Sequence, residues 1–186
     1  MPLALTDLAN PRSSYAGSKI FGELAVTQYG LMHQFPFAIV RFHNVYGPRM
    51  GHEHVIPQLY RRALGGETPL KVFSADHQRA FCHISDALDA TIAALRLPAG
   101  EGRTFNVGND RAEVTMAELA RRILAQAGLP GGILPAPAAN DPVARRCPDL
   151  TEARTRLGYE PRIDLDAGLA DTLAWYGPHY RNAPPC

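Results

Sequence analysis

Tyr15 stands four residues ahead of Lys19 in the stretch SSYAGSKIFGE, residues 13–23. On a helix, residues four apart are neighbours on one face. An ammonium beside a phenol favours the phenolate, the form that accepts a proton. The pair therefore suits a general base that takes a proton from a hydroxyl while hydride leaves the same carbon. A tyrosine and a lysine at this spacing also occur as ordinary surface residues, so the pair needs its surroundings before it means anything.

Those surroundings read as alternating helices and strands. Pro11 precedes a run in which Ile20, Phe21, Leu24, Ala25, Leu31 and Met32 recur at helical spacing, which predicts a helix over 13–33. Phe37 to Phe42 reads as a buried strand ending at the Gly47-Pro48 turn signal. HVIPQLYRRALGG predicts a short helix closed by Gly65-Gly66, and LKVF and RAFCHI predict short strands. SDALDATIAALRL predicts a helix capped by Ser85 or Asp86, with Ala87, Leu88, Ile92 and Leu95 on one face. TFNVG predicts a further strand. In TMAELARRILAQAG, Thr115 and Glu118 form a capping box and Gly128 a stop. Residues 130–142 are expected to be a surface loop, followed by the helices TEARTRLG and LDAGLADTLAWYG, the second capped by Asp164, and a frayed tail.

Composition excludes several classes. With 186 residues, 46% hydrophobic and 20% charged, the chain is long enough for one ordinary globular domain. A net charge of +1 gives no concentrated basic face for nucleic acid. The pairs Arg61-Arg62, Arg121-Arg122 and Arg145-Arg146 are scattered. Three cysteines, widely spaced, make neither a disulfide framework nor a zinc site. His52 and His54 in GHEHV lack further ligands at a fitting spacing, so no metal site is expected. No membrane span or signal peptide is legible, and a cytoplasmic protein is expected.

The segments NPRSSYAGSKIFGE, VRFHNVYGPRMG, VIPQL, QRAFCHISDA, TFNVGND and RCPDLTEARTRLGYEPRIDLDAGLADTLAWY follow one another in the order of the extended short-chain dehydrogenase family. The chain resembles its nucleotide-sugar epimerase and dehydratase branch over almost its whole length. The resemblance implies that Tyr15 is the base and that Lys19 is its partner, both touching an NAD or NADP cofactor. It implies that Asn44 contacts the diphosphate of a nucleoside diphosphate sugar and that Val55, Ile56 and Pro57 line the nucleotide pocket. It makes Arg79 a diphosphate ligand, which agrees with the bidentate habit of a guanidinium. Asn106 and Arg146 are further transfers, with Arg145 able to take the last role.

The same resemblance implies an α/β fold, with residues 1–48 forming a truncated Rossmann-like portion, 49–180 a small α/β substrate-binding subdomain, and 181–186 a tail. The glycine-rich turn that binds a dinucleotide pyrophosphate is not legible. GPRMG follows the wrong kind of element, LGG ends a helix, and Ser13 and Ser14 stand too close to Tyr15 to complete a catalytic set. A strand around Val40 without its sheet neighbours would expose an edge and an apolar face, so a homodimer or a complementing chain is expected. Epimerisation, dehydration and decarboxylation all fit the motifs, as does a non-catalytic homologue that binds a nucleotide sugar or a protein partner.

Overall fold

In the computed structural model, residues 11–98, 102–137 and 143–181 are described. The first ten residues of the expected Rossmann-like portion and most of the expected tail lie outside them. In chain order the elements are α1 (Pro11–His33), β1 (Ala38–Phe42), β2 (Val45–Tyr46), α2 (Val55–Leu64), β3 (Leu70–Phe73), β4 (Gln78–Ala80), β5 (Cys82–His83) and α3 (Ile84–Leu95). They continue with β6 (Arg103–Val107), β7 (Glu113–Thr115), α4 (Met116–Ala127), β8 (Ile133–Ala136), β9 (Arg145–Arg146), α5 (Thr151–Leu157) and α6 (Leu165–Arg181).

Two strands carry the candidate base. β1 runs parallel to β6, with Val40 opposite Phe105. Parallel strands are usually covered on both faces. On one face Phe105 and Val107 are fully buried against Ala87, Ala90 and Ala94 of α3 and Leu150 and Ala153 around α5. Side chains alternate along a strand, so Arg41 points to the other face. There it holds α1 through a bidentate pair, Nε lying 2.7 Å from Glu23 Oε1. The turn back from α1 is tight because the Phe37 ring sits where a side chain at Gly30 would otherwise be.

The second core gathers Ile56, Leu59 and Tyr60 of α2, Leu70 and Val72 of β3, Leu119 and Ile123 of α4, and Leu169 and Tyr176 of α6. Local signals set several of its boundaries as expected. The Glu118 amide donates to Thr115 Oγ1 at 3.1 Å, Gly128 takes the left-handed conformation, and Asp164 Oδ1 accepts from the Ala167 amide at 2.8 Å. The reciprocal half of the capping box is replaced by an ion pair of Glu118 with Arg122.

Four expectations need correction. RAFCHI is not one strand: β4 pairs antiparallel with β7 and parallel with β9, whereas β5 pairs parallel with β2. The break falls at Phe81, where the Phe81 amide bonds Ala112 and the Cys82 amide bonds Asn44, so the chain changes sheets. Residues 130–142 are not all loop, since β8 pairs parallel with β3. Its Pro135 is tolerated because the strand lies at a sheet edge. α3 is capped by His83, whose ring accepts from the Ser85 amide, because the Asp86 carboxylate is drawn away to the Arg162 and Ile163 amides at 3.0 Å each. Finally, α3 buries its alanines and exposes Leu88, Ile92 and Leu95. Small side chains let the helix approach the β1–β6 pair closely.

Candidate functional site

Gly30 lies against Phe37 and Glu23 against Arg41, so α1 and β1 run in opposite directions. Counting back from Glu23 at about 1.5 Å per residue, Lys19 lies roughly 6 Å, and Tyr15 roughly 12 Å, further toward the C-terminal end of β1. That end of a parallel sheet is where ligands bind in open α/β folds. Tyr15 is 68% exposed, and the Lys19 Nζ lies 5.2 Å from its ring centroid. Two turns of helix therefore present a phenol and an ammonium side by side to solvent. Neither makes a hydrogen bond or ion pair to the other candidate residues among the described ones.

The strand ends beneath them hold a polar chain. His43, Asn44 and Asn106 sit at or just beyond the C-terminal ends of β1 and β6. Asn44 has a φ of 43°, and its Nδ2 donates to the Ala80 carbonyl at 2.9 Å. Asn106 donates to the Asp149 carbonyl at 3.2 Å, and its Oδ1 lies 3.4 Å from His43 Nε2. Burial holds His43 below the usual imidazole value, which favours the neutral ring. His43 escaped the sequence analysis, although its place beside Asn44 at a strand end was the available signal.

Arg79 is only 7% exposed and faces inward. It donates to the carbonyls of Gln78 at 2.8 Å, Val143 at 2.8 Å and Ala144 at 3.2 Å. This ties down β9, in which Arg146 stands opposite Arg79 and Arg145 opposite Gln78. Arg145 is engaged by Glu113 at 2.8 Å, and Arg146 is exposed. Asn44, Arg79, Asn106 and Arg146 are thus brought into one linked region through Ala80, β9 and Asp149. Val55 is half-buried, whereas Ile56 and Pro57 are buried, with Ile56 in the core cluster. Their side chains anchor α2 and leave Val55 as the member of that trio with surface to offer.

Other reactive groups are engaged structurally. Burial pushes the Cys82 thiol up to about 11, against a Tyr159 hydroxyl that in turn donates to the Gly108 carbonyl. Arg154 grips both oxygens of Asp110 and so braces the loop after β6. The surface groove between Arg111, Arg122 and Asp166 lies apart from Tyr15, and its arginines are paired with acids. Among the described residues no group of three or more His, Cys, Asp or Glu could hold a metal. No helix among them is long and apolar enough to cross a membrane.

A dinucleotide needs a strand that leads through a glycine-rich turn into a helix N-terminus. Among the described residues, β5 enters α3 directly at His83-Ile84 and β7 enters α4 at Thr115-Met116 without a glycine, and Gly47 and Gly51 between β2 and α2 belong to a longer loop, 47–54, and not to a tight turn.

The pattern of the NAD dependent epimerase/dehydratase family matches residues 3–108. This chain belongs to that family. It is 30% identical over 174 residues to the UDP-N-acetyl-alpha-D-glucosaminuronate decarboxylase of Bacillus cytotoxicus, covering 89% of this chain and 53% of that protein. It is 31% identical to the UDP-glucose 4-epimerase of Mycolicibacterium smegmatis, covering 90% of this chain and 54% of the other. An epimerase from Methanothermobacter thermautotrophicus superposes with a TM-score of 0.80 at 25% identity, over 88% of this chain and 49% of that one. The UDP-glucuronic acid 4-epimerase of Bacillus cereus, solved with UDP-glucuronic acid and NAD, shares the fold with a TM-score of 0.82 at 24% identity, over 92% of this chain and 55% of that one. The chain therefore spans about half the length of the relatives it matches. The Rossmann-like α/β class expected from the sequence is the fold observed.

Proposed function

We propose that this chain carries the proton-transfer pair and the nucleotide-sugar-binding part of an enzyme acting on a nucleoside diphosphate sugar. The observation that carries this reading is the placement of Tyr15 and Lys19 on the α1 turns nearest the C-terminal end of the β1–β6 pair, with Asn44 and Asn106 at those strand ends. In this mechanism Tyr15, as phenolate, takes the proton of a sugar hydroxyl, and the Lys19 ammonium favours that charged form. Asn44, Val55 and the exposed Arg146 meet the nucleoside diphosphate, and Arg79 holds β9 and so Arg146 in place. Bound NAD would supply the hydride acceptor. With no pyrophosphate cradle among the described residues, this part is proposed not to hold NAD with useful affinity by itself.

Partner and reaction follow the same reading. The exposed apolar residues of α1 and the edge of β1 that pairs with no strand among the described residues suit a second α/β surface, supplied by a second copy or by a complementing chain. Names among the relatives include decarboxylases, dehydratases and epimerases, so the proposal stops at the shared first step. A non-catalytic nucleotide-sugar binder is the second reading, favoured by the exposure of Tyr15. Calorimetry with UDP, dTDP and GDP tests the binding common to both; a chain that binds none of them sinks both. Titration with NAD and NADP tests the rest, and micromolar binding would overturn the division proposed for the cofactor.

A further inference from the structure

The segment between β2 and α2 contains the GHEH motif, which no role above absorbs. Two short turns shape it, the Met50 amide bonding Gly47 and the His54 amide bonding Gly51. A side chain at Gly51 would press on the His54 ring, which lies 3.1 Å from where it would begin. Arg49 has a φ of 66°, an uncommon conformation for a residue with a side chain. It is exposed and has no acidic partner among the described residues. Such a loop is held in shape by something outside itself.

That restraint comes from the last turns of α6. Tyr176, fully buried, donates its hydroxyl to the Met50 carbonyl. One turn on, the Tyr180 hydroxyl lies 2.8 Å from His52 Nδ1. Burial and the neighbouring Tyr176 push that hydroxyl up to about 12, so it keeps its proton and shares a hydrogen bond with the imidazole whose direction the His52 tautomer sets. The His52 ring also packs 5.6 Å from both tyrosine rings, which stack on each other at 5.2 Å. Tyr60 of α2 closes the group 6.1 Å from Tyr180. The loop is thus clasped by residues about 130 positions away in sequence, and it begins three residues after Asn44.

We propose that this aromatic clasp makes His52 and Tyr180 positioning residues: α6 latches the loop of residues 47–54, and the latched loop presents Arg49 to the diphosphate of the nucleotide sugar. The inference rests on the nucleotide-binding reading given above. Its test follows two signals in the intact chain, hydrogen exchange of residues 48–54 and calorimetric affinity for UDP. Tyr180→Phe keeps the stacked rings and removes only the hydroxyl. It should speed exchange in the loop about tenfold and weaken UDP about 3- to 10-fold, the size of one lost hydrogen bond. His52→Leu should do the same and should not add to Tyr180→Phe in the double variant. His52→Asn, whose amide can occupy the place of Nδ1, should restore both signals. Unchanged exchange, or faster exchange with unchanged UDP affinity, overturns the proposal. A parent chain that binds no nucleoside diphosphate sinks the earlier reading instead, and exchange alone then decides whether the latch exists.

Discussion

The α2–α4–α6 core and the α1–β1–α3 layer treat apolar surface in opposite ways. In the first, Ile56, Leu119, Ile123, Leu169 and Tyr176 are all fully removed from water. In the second, Phe21 is 72%, Met32 75% and Leu95 81% exposed, and β1 has one strand neighbour among the described residues. The core closes on itself, so its side chains and the loops they hold need no further partner. The layer keeps its Tyr15–Lys19 pair on a helix anchored by the Glu23–Arg41 pair and by the Phe37 ring at Gly30. The residues proposed to do chemistry are thus on the less enclosed region, whereas Val55, proposed to bind, is braced by the more enclosed one.

That division predicts a separation of effects, largest first. Tyr15→Phe should lower turnover of a nucleotide sugar by about 10²- to 10⁴-fold in any preparation that shows turnover. UDP affinity should be unchanged, because UDP lacks the sugar hydroxyl that the phenolate is proposed to meet. A comparable loss of binding would merge the two regions into one site. In urea unfolding, Leu169→Ala should cost about 2–5 kcal/mol, whereas Met32→Ser should stay within about 0.5 kcal/mol. The same Met32→Ser should weaken any self-association seen by sedimentation. Equal costs at the two positions would mean that α1 is as well packed as α6.

Arg79→Ala should cost about 1–3 kcal/mol of stability, because it removes a buried guanidinium together with its hydrogen bonds to the Gln78, Val143 and Ala144 carbonyls. It should also weaken UDP binding by loosening β9. Undiminished UDP affinity would detach Arg146 from the site. The smallest effect concerns α1 itself. The Arg41 hydrogen bond holds the Glu23 carboxyl below the ordinary carboxylate value. Its contribution is therefore full above about pH 4.3, the unfolded value, and is lost as pH falls through the lower folded value. For so exposed a pair the magnitude is about 0.2–1 kcal/mol. Thermal melts of Glu23→Gln should match the parent in acid and fall slightly below it at neutral pH.

Much of the chain was settled by interactions close in sequence. Helical spacing from Ile20 to Met32, the Thr115 cap, the Gly128 stop and the Asp164 cap each depend on groups within a few residues. The Tyr15–Lys19 neighbourhood is equally local, because one helical turn creates it. Tertiary structure decided what required comparison between distant segments. RAFCHI could have been one strand until Ala112 and Asn44 took successive amides into different sheets. Asp86 could have capped its helix until the Arg162 and Ile163 amides took both oxygens. Arg79 carries the same guanidinium whether it meets phosphate or carbonyls, and only the approach of Val143 and Ala144 turned it inward. α3 offers two apolar faces, and periodicity does not rank them. The alanine face went to the sheet because the close approach over β1 and β6 admits small side chains, which left the leucines outside.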